Sequence, residues 1–255
     1  MIDRHTIINK LSEALKPLPF VYAFWLEGAD ATDTADEYSD LDFWLDFEDE
    51  HEELAYEAVE TALAEISAID YKYIMNHEHP KIRQRIYHLE NTSAYLMIDF
   101  CWQLHSREVT YIENDSIEAV KVIFDKNNVI RYKPLTLSDL APFNNPRLEE
   151  AKYRRTQHMR AEKYIRRGQY LEAYAYYNQY VLEPVIDLLR LIYTPAHAGY
   201  YLVHISQHIP AAERERLEFF AQISSLDDIS ARIPLAGEWF DSLVSQLQIK
   251  RACAH

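Results

Sequence analysis

Glycine is scarce in this sequence: Gly28, Gly168, Gly199 and Gly237 are the only four in 255 residues. That excludes a G-x-x-x-x-G-K phosphate loop and a G-x-G-x-x-G dinucleotide fingerprint, which both need clustered glycines for close backbone approach to phosphate. Cysteine is scarcer still. Cys101 and Cys253 do not make a disulfide framework. No apolar run approaches the roughly 18 residues of a membrane span, and "MIDRHTIINK" has no apolar signal core. A cytoplasmic protein with no membrane partner is expected. Positive charge is the fourth shortage: 26 Lys and Arg stand against 41 Asp and Glu, a formal net charge of −15. So acidic a chain suits a nucleic-acid backbone poorly, and no nucleic-acid partner is expected. The balance fits a cationic ligand or a metal ion, and equally a soluble acidic surface.

What is present is an ordinary supply of core, with 48% apolar residues, enough for one large domain or two smaller ones. Helical spacing of Ile7, Ile8, Leu11 and Leu15 predicts a helix over 3–15. "FVYAFWLE" reads as a buried strand. "DLDFWLDF" reads as a second, with Leu41, Phe43, Leu45 and Phe47 on one face. "EELAYEAVETALAEI" predicts an amphipathic helix, and "YKYIM", "IRQRIYHLE", "AYLMIDFCW" and "AVKVIFD" predict further strands. After "RYKPLTLSDLAPFNNP" helical periodicity takes over. One helix is expected over 147–167 and a long apolar one over 170–193, kinked or restarted at Pro184. Shorter helices are expected over 199–206, 211–223 and 235–249. The fold class is α+β: a mixed sheet with flanking helices over 1–135, then a helical bundle over 136–255.

The chemistry concentrates in "LEGADATDTADEYSDLDFWLDFEDE". Side chains at i and i+2 of a strand share a face, so Asp40 and Asp42 project together, away from Leu41, Phe43 and Leu45. Two like charges so close resist ionising unless compensated. A divalent cation with oxygen ligands is the simplest compensation; a solvated strand end is the plain alternative. Asp99 lies in "YLMIDFCW" among apolar neighbours, where a charge must be paired, protonated or bound to metal. Three carboxylates from two strands suit metal-assisted phosphoryl transfer.

Gly28, then Ser39-Asp40-Leu41-Asp42, then Asp99 in an apolar strand resembles the polymerase-β-like nucleotidyltransferase superfamily, in particular its bacterial aminoglycoside- and lincosamide-type members. The resemblance implies a nucleotidyltransferase-type mixed sheet followed by an α-helical domain. It implies Mg²⁺ held by Asp40 and Asp42, with Asp99 as third ligand or as general base. Gly28 would let the backbone approach the triphosphate of ATP or another NTP, and Ser39 would support the loop. The implied reaction moves a nucleoside monophosphate, AMP for preference, to a hydroxyl of a small molecule such as an antibiotic, and the acidic balance fits a cationic acceptor. Two positions depart from the pattern. Ala29 stands where the family usually has a phosphate-contacting Ser, and Asp33 replaces the second Gly. The other reading is a degenerate member that binds a ligand or partner protein with little catalysis.

Weaker candidates lie elsewhere. The helix over 147–167 carries a basic stripe that includes Arg155 and Lys163. Lys163 is a candidate for nucleotide phosphates, and pairing with Glu149, Glu150 and Glu162 is the competing reading. Glu183 and Asp187, four apart, share a helix face that could hold a cationic acceptor. His77 and His79 are expected in solvent. Arg190 and His197 form a loose Arg-x6-His pattern of the kind found in helical ribonuclease toxins.

Overall fold

The first helix is set by its cap: the Asp3 carboxylate accepts the Thr6 N–H at 2.8 Å. In the computed structural model, which describes residues 1–253, that helix is α1 (Arg4–Leu15), with Ile7, Leu11 and Leu15 buried. By backbone contacts the chain divides into two units, Met1–Leu135 and a second beginning at Thr136. The first continues through β1 (Val21–Leu26), a single turn α2 (Gly28–Ala31), β2 (Leu41–Phe47) and α3 (Glu52–Ala64). Then come β3 (Ile69–Met75), β4 (Ile82–Leu89), β5 (Ile98–Leu104), β6 (Val109–Ile112), β7 (Lys121–Asp125) and β8 (Ile130–Lys133).

Six of these strands form one mixed sheet in the order β3-β4-β5-β2-β1-β7. Only the central β2–β5 pair is parallel; β6 and β8 make a separate parallel pair. The strand period sorts side chains onto two faces. One carries Leu45 and the aromatic series Phe24, Phe43, Phe100 and Trp102, whose rings contact one another in turn, and packs with Leu11, Val59 and Leu63 of α1 and α3 in one core. The other carries Asp42, Trp44 and Asp46 of β2 beside Asp99, Cys101 and Gln103 of β5. Over β1 this second face is closed, where Trp25 stacks on Trp44 at 5.9 Å and packs with Ile130.

Two expectations change here. The strand expected from Ala94 begins only at Ile98, because the Leu96 N–H turns back to Ser93 and the Met97 N–H to Tyr95. The strands β6 and β8 were not foreseen: four residues each is too short for a period-two signal to separate from a loop.

The second unit contains α4 (Leu137–Thr156), α5 (Met159–Arg166), α6 (Tyr170–Tyr177), α7 (Glu183–Tyr193), α8 (Ile205–His208), α9 (Ala211–Ala221) and α10 (Leu226–Cys253). The helix expected from Arg147 starts ten residues earlier, inside the proline-rich stretch. A reciprocal capping box between Thr136 and Asp139 nucleates it, and Pro142 and Pro146 are carried within it. It breaks at Gln157 and His158, where turn bonds to Arg154 and Gln157 replace helical ones. The restart at Pro184 is a π turn over Asn178–Leu182, where the missing proline N–H breaks the regular ladder.

The helix expected over 199–206 does not form. Tyr201 and His204 sit at φ 50° and 52°. The buried Arg190 guanidinium collects the carbonyls of Tyr201, at 2.8 Å, and Val203. The last helix starts at Leu226 instead of Leu235, since Ser225 accepts the Asp228 N–H at 3.0 Å while Asp228 accepts that of Ser224 at 2.9 Å. α7 is buried nearly all round, as befits the central helix of a bundle.

Candidate active site

Asp42 and Asp99 are direct register partners across the parallel β2–β5 pair. Neighbouring strands lie about 4.8 Å apart, so the two carboxylates stand side by side on one face. Asp40 precedes the start of β2 by one residue. With Asp99 it lines a cavity of about 500 Å³, completed by Tyr71, Ile86, His88, Ala94 and Met97. The three carboxylates share the face without closing into a tight knot: their oxygens are not all within 4.8 Å of one another.

Their electrostatics are unbalanced. Burial, then the charges of Asp40, Asp99, Glu27 and Asp30, push the Asp42 carboxyl up to about 7. Among the described residues no hydrogen-bond donor reaches it. Asp99 is raised by burial and by Asp40, against the Gln84 amide, whose Nε2 donates to both of its oxygens at 2.8 Å. Glu27, at the end of β1, is raised by burial although Tyr111 Oη and Trp25 Nε1 both donate to it, the latter at 3.2 Å. This donor set fits a divalent cation. It offers hard carboxylate oxygens, those of Asp40 and Asp42 without a donor among the described residues, and a charge excess that a cation would neutralise.

Gly28 is required by the same arrangement. Its φ is +61°, and a Cβ there would lie 2.1 Å from Asp42 Oδ2. The loop between Gly28 and Asp40 is held by Arg4, which the sequence reading passed over. Its guanidinium donates to Asp30 at 2.6 Å and to the Ser39 carbonyl at 2.7 Å. Ser39 Oγ donates to Asp36 at 2.8 Å and accepts the Asp36 N–H at 3.0 Å, closing a turn just before Asp40.

The two departures from the family pattern behave differently. Asp33 adopts φ 55°, the left-handed conformation that glycine takes most readily and Asp tolerates. Its side chain is 85% exposed and meets Lys121 at 3.1 Å, so backbone shape survives the loss of glycine and the added charge has a partner. Ala29 offers no hydroxyl in the first turn of α2; the neighbouring Thr32 hydroxyl is engaged with the Gly28 and Ala29 carbonyls, at 3.2 and 3.3 Å.

The remaining candidates are placed as follows. Lys163 is exposed on α5 in the second unit. Three residues of the basic stripe are ion-paired within that unit: Arg147 with Asp187 at 2.8 Å, Lys152 with Glu149 at 2.8 Å, and Arg154 with Glu150 at 2.9 Å and Glu183 at 2.8 Å. Glu183 and Asp187 are thereby paired to arginines. Arg190 is a structural clamp on backbone carbonyls, and His197 is buried. His77 and His79 each accept a backbone N–H two residues on, at 3.0 and 3.1 Å, and so shape the turn before β4. Gln84 and Glu27 are the polar groups missed near the acids. The available signal for Gln84 was its position between Ile82 and Ile86, an amide flanked by two apolar residues on its face.

The described features define a mixed α+β chain, with a carboxylate-bearing sheet in one unit and helices in the other. No model of a known protein family matches it, and no curated protein sequence matches it. Among solved structures it is similar to an aminoglycoside 6-adenyltransferase from Bacillus subtilis, at 13% identity and a TM-score of 0.43 over 97% of this chain and 90% of that one. It is also similar to a spectinomycin adenyltransferase from Enterococcus faecialis, solved with ATP and spectinomycin. There the identity is 12% and the TM-score 0.32, over 94% of this chain and 100% of that one. No residue role in this chain follows from these likenesses.

Proposed function

We propose that the protein is a metal-dependent nucleotidyltransferase that moves a nucleoside monophosphate from an NTP to a hydroxyl of a small molecule. The observation that carries this reading is the pairing of Asp42 with Asp99 across β2 and β5, with Asp40 on the same face and Gly28 kept open against Asp42. Asp40 and Asp42 would hold Mg²⁺, which when bound neutralises phosphate charge and polarises the phosphorus under attack. Asp99 accepts the proton of the acceptor hydroxyl as its oxygen bonds to the α-phosphorus and the bond to pyrophosphate breaks. Its raised proton affinity suits a general base. The Gln84 amide, donating to both oxygens at 2.8 Å, holds the carboxylate plane fixed. Gly28 leaves the end of β1 free of side chain where the triphosphate would approach, and the Arg4 clamp on Ser39 and Asp30 holds the loop that carries Asp40. Lys163 is retained as a phosphate-contacting candidate.

Ala29 favours a second reading, a nucleotidyltransferase-like protein that binds ligand and catalyses little, because it lacks the hydroxyl donor. Pyrophosphate release from Mg-ATP, assayed across a panel of hydroxyl compounds, separates the two. The enzyme reading expects release that depends on an acceptor and is lost in Asp99→Asn. Absence of release with every acceptor and every NTP, from a protein that still binds ligand, supports the second reading.

A further inference from the structure

The cavity beside Asp99 crosses three strands. By register, Asp99 of β5 faces Ile86 of β4, and His88 of β4 faces Tyr71 of β3. Two strand spacings, or about 9–10 Å, therefore separate the strand of Asp99 from that of Tyr71. Resting on the nucleotidyltransferase reading above, we propose that this cavity is the acceptor subsite and that it selects a hydroxyl compound with a flat, mainly apolar body rather than a polycationic sugar.

Its volume, about 500 Å³, suits a small-molecule ligand. Its lining beyond the acids is Tyr71, Ile86, Ala94, Met97 and the His88 ring. Asp40 and Asp99 are the only carboxylates in that lining, and the proposed chemistry already uses both. None remains to pair with the several ammonium groups of a polycation. His88 opposes such a ligand directly. Its Nδ1 lies 2.7 Å from the Asp70 carboxylate and its Nε2 3.1 Å from the Ser93 carbonyl. Asp70 and Ser93 both accept, and the Thr92 hydroxyl, itself donating to the Leu89 carbonyl, lies 3.2 Å from Nε2; this setting favours the doubly protonated, cationic ring. Its raised proton affinity agrees with this. With its nitrogens occupied, the ring offers the cavity a flat surface and no free donor. The rim is aromatic as well. Tyr38, two residues before Asp40, and Tyr95, four before Asp99, are both exposed and meet edge to face at 5.2 Å. A planar ligand lying on Ile86 and Met97 would present its hydroxyl toward Asp99 and its edge toward these tyrosines.

The test uses the full chain and 2-naphthol as a neutral, flat hydroxyl probe, with neomycin as the polycationic competitor. Ala94 is exposed on a turn, so Ala94→Trp fills the cavity without disturbing the core. Saturable binding of 2-naphthol is expected by fluorescence without metal, weakened about tenfold or more in Ala94→Trp and indifferent to equimolar neomycin. Ala94→Trp retains the thermal shift given by Mg-ATP. Binding that is absent, insensitive to Ala94→Trp, or displaced by neomycin overturns the proposal while a Mg-ATP shift leaves the nucleotidyltransferase reading standing. Displacement by metal-free ATP also overturns it, by giving the cavity to the nucleotide base. A wild type with no Mg-ATP shift removes the nucleotidyltransferase reading and this proposal with it.

Discussion

The two faces of the first unit's sheet treat acids in opposite ways. On the helix side, Glu52 of α3 meets Arg83 at 2.9 Å, and Glu60 meets Arg85 at 2.6 Å and Lys72 at 2.5 Å. Burial alone would raise both carboxyls; bonds from Tyr56 and Arg83 to one, and from Lys72, Tyr87 and Arg85 to the other, outweigh it and hold both below their ordinary value. On the opposite face Asp42, Asp99 and Glu27 meet an amide, a phenol and an indole or nothing, and all three are raised. One strand supplies both environments: β4 sends Arg83 and Arg85 to the helices and Gln84 to Asp99. The first face is balanced for stability. The second holds charge in excess, the condition in which a cation or a reacting group binds most favourably.

The contrast is open to mutation, beginning with its largest effect. Asp42→Asn lowers nucleotidyl transfer by on the order of 10³-fold or more, as loss of a transition-state electrostatic contact does; pyrophosphate release measures it. The same change stabilises the metal-free protein at pH 8. The folded carboxyl titrates near 7 and the unfolded one near 3.8, so the folded state binds the extra proton between those values. Asp42's contribution to stability therefore falls as pH rises through that window, by up to about 4 kcal/mol for a shift of three units. Asp42→Asn removes that slope, which urea unfolding at pH 4, 6 and 8 reads directly. A stability difference between Asp42→Asn and wild type that does not grow in favour of the variant from pH 4 to 8 contradicts the assigned charge excess.

On the helix face the sign reverses. Arg85→Ala destabilises by about 2 kcal/mol at neutral pH, since Glu60 loses one of its cations and Tyr56 loses the guanidinium stacked 3.6 Å above its ring; denaturant midpoints test it. Gly28→Ala comes next. The left-handed backbone costs about 1–2 kcal/mol for a residue with a Cβ, and the Cβ must also displace Asp42. Thermal melts should show the loss, and Asp42→Asn should not rescue it fully because the backbone strain remains. The smallest effect is a gain. Ala29→Ser restores a hydroxyl donor at the start of α2 and tightens Mg-ATP binding by about 0.5–1.5 kcal/mol, measurable by calorimetry. No change would place the phosphates elsewhere.

Much of the acid face could be read from local pattern. Period two put Asp40 and Asp42 on one side, although the strand itself begins at Leu41 and Asp40 lies just before it, and the apolar setting of Asp99 marked it as unusual. That Asp99 stands beside Asp42 needed the parallel β2–β5 register, a pairing of residues 57 apart that no local pattern encodes. Arg4 was invisible for the same reason: its three acceptors lie 26 to 35 residues away. The left-handed Asp33 was read only as a lost glycine, because sequence shows identity and not φ. In the second unit, periodicity found the helices but misplaced their ends. The capping box at Thr136 and the side-chain cap from Ser225 overrode nearby prolines, and buried Arg190 held 201–204 out of a helix that its composition favoured.

The central claim, that the acid face is a cation and nucleotide site and not merely an acidic surface, is tested most directly by the thermal shift of the full chain with Mg-ATP at pH 8. The account predicts a rise in the melting temperature of the wild type that requires both Mg²⁺ and ATP and is lost in Asp42→Asn. An equal shift in both proteins, or none in the wild type, would contradict it.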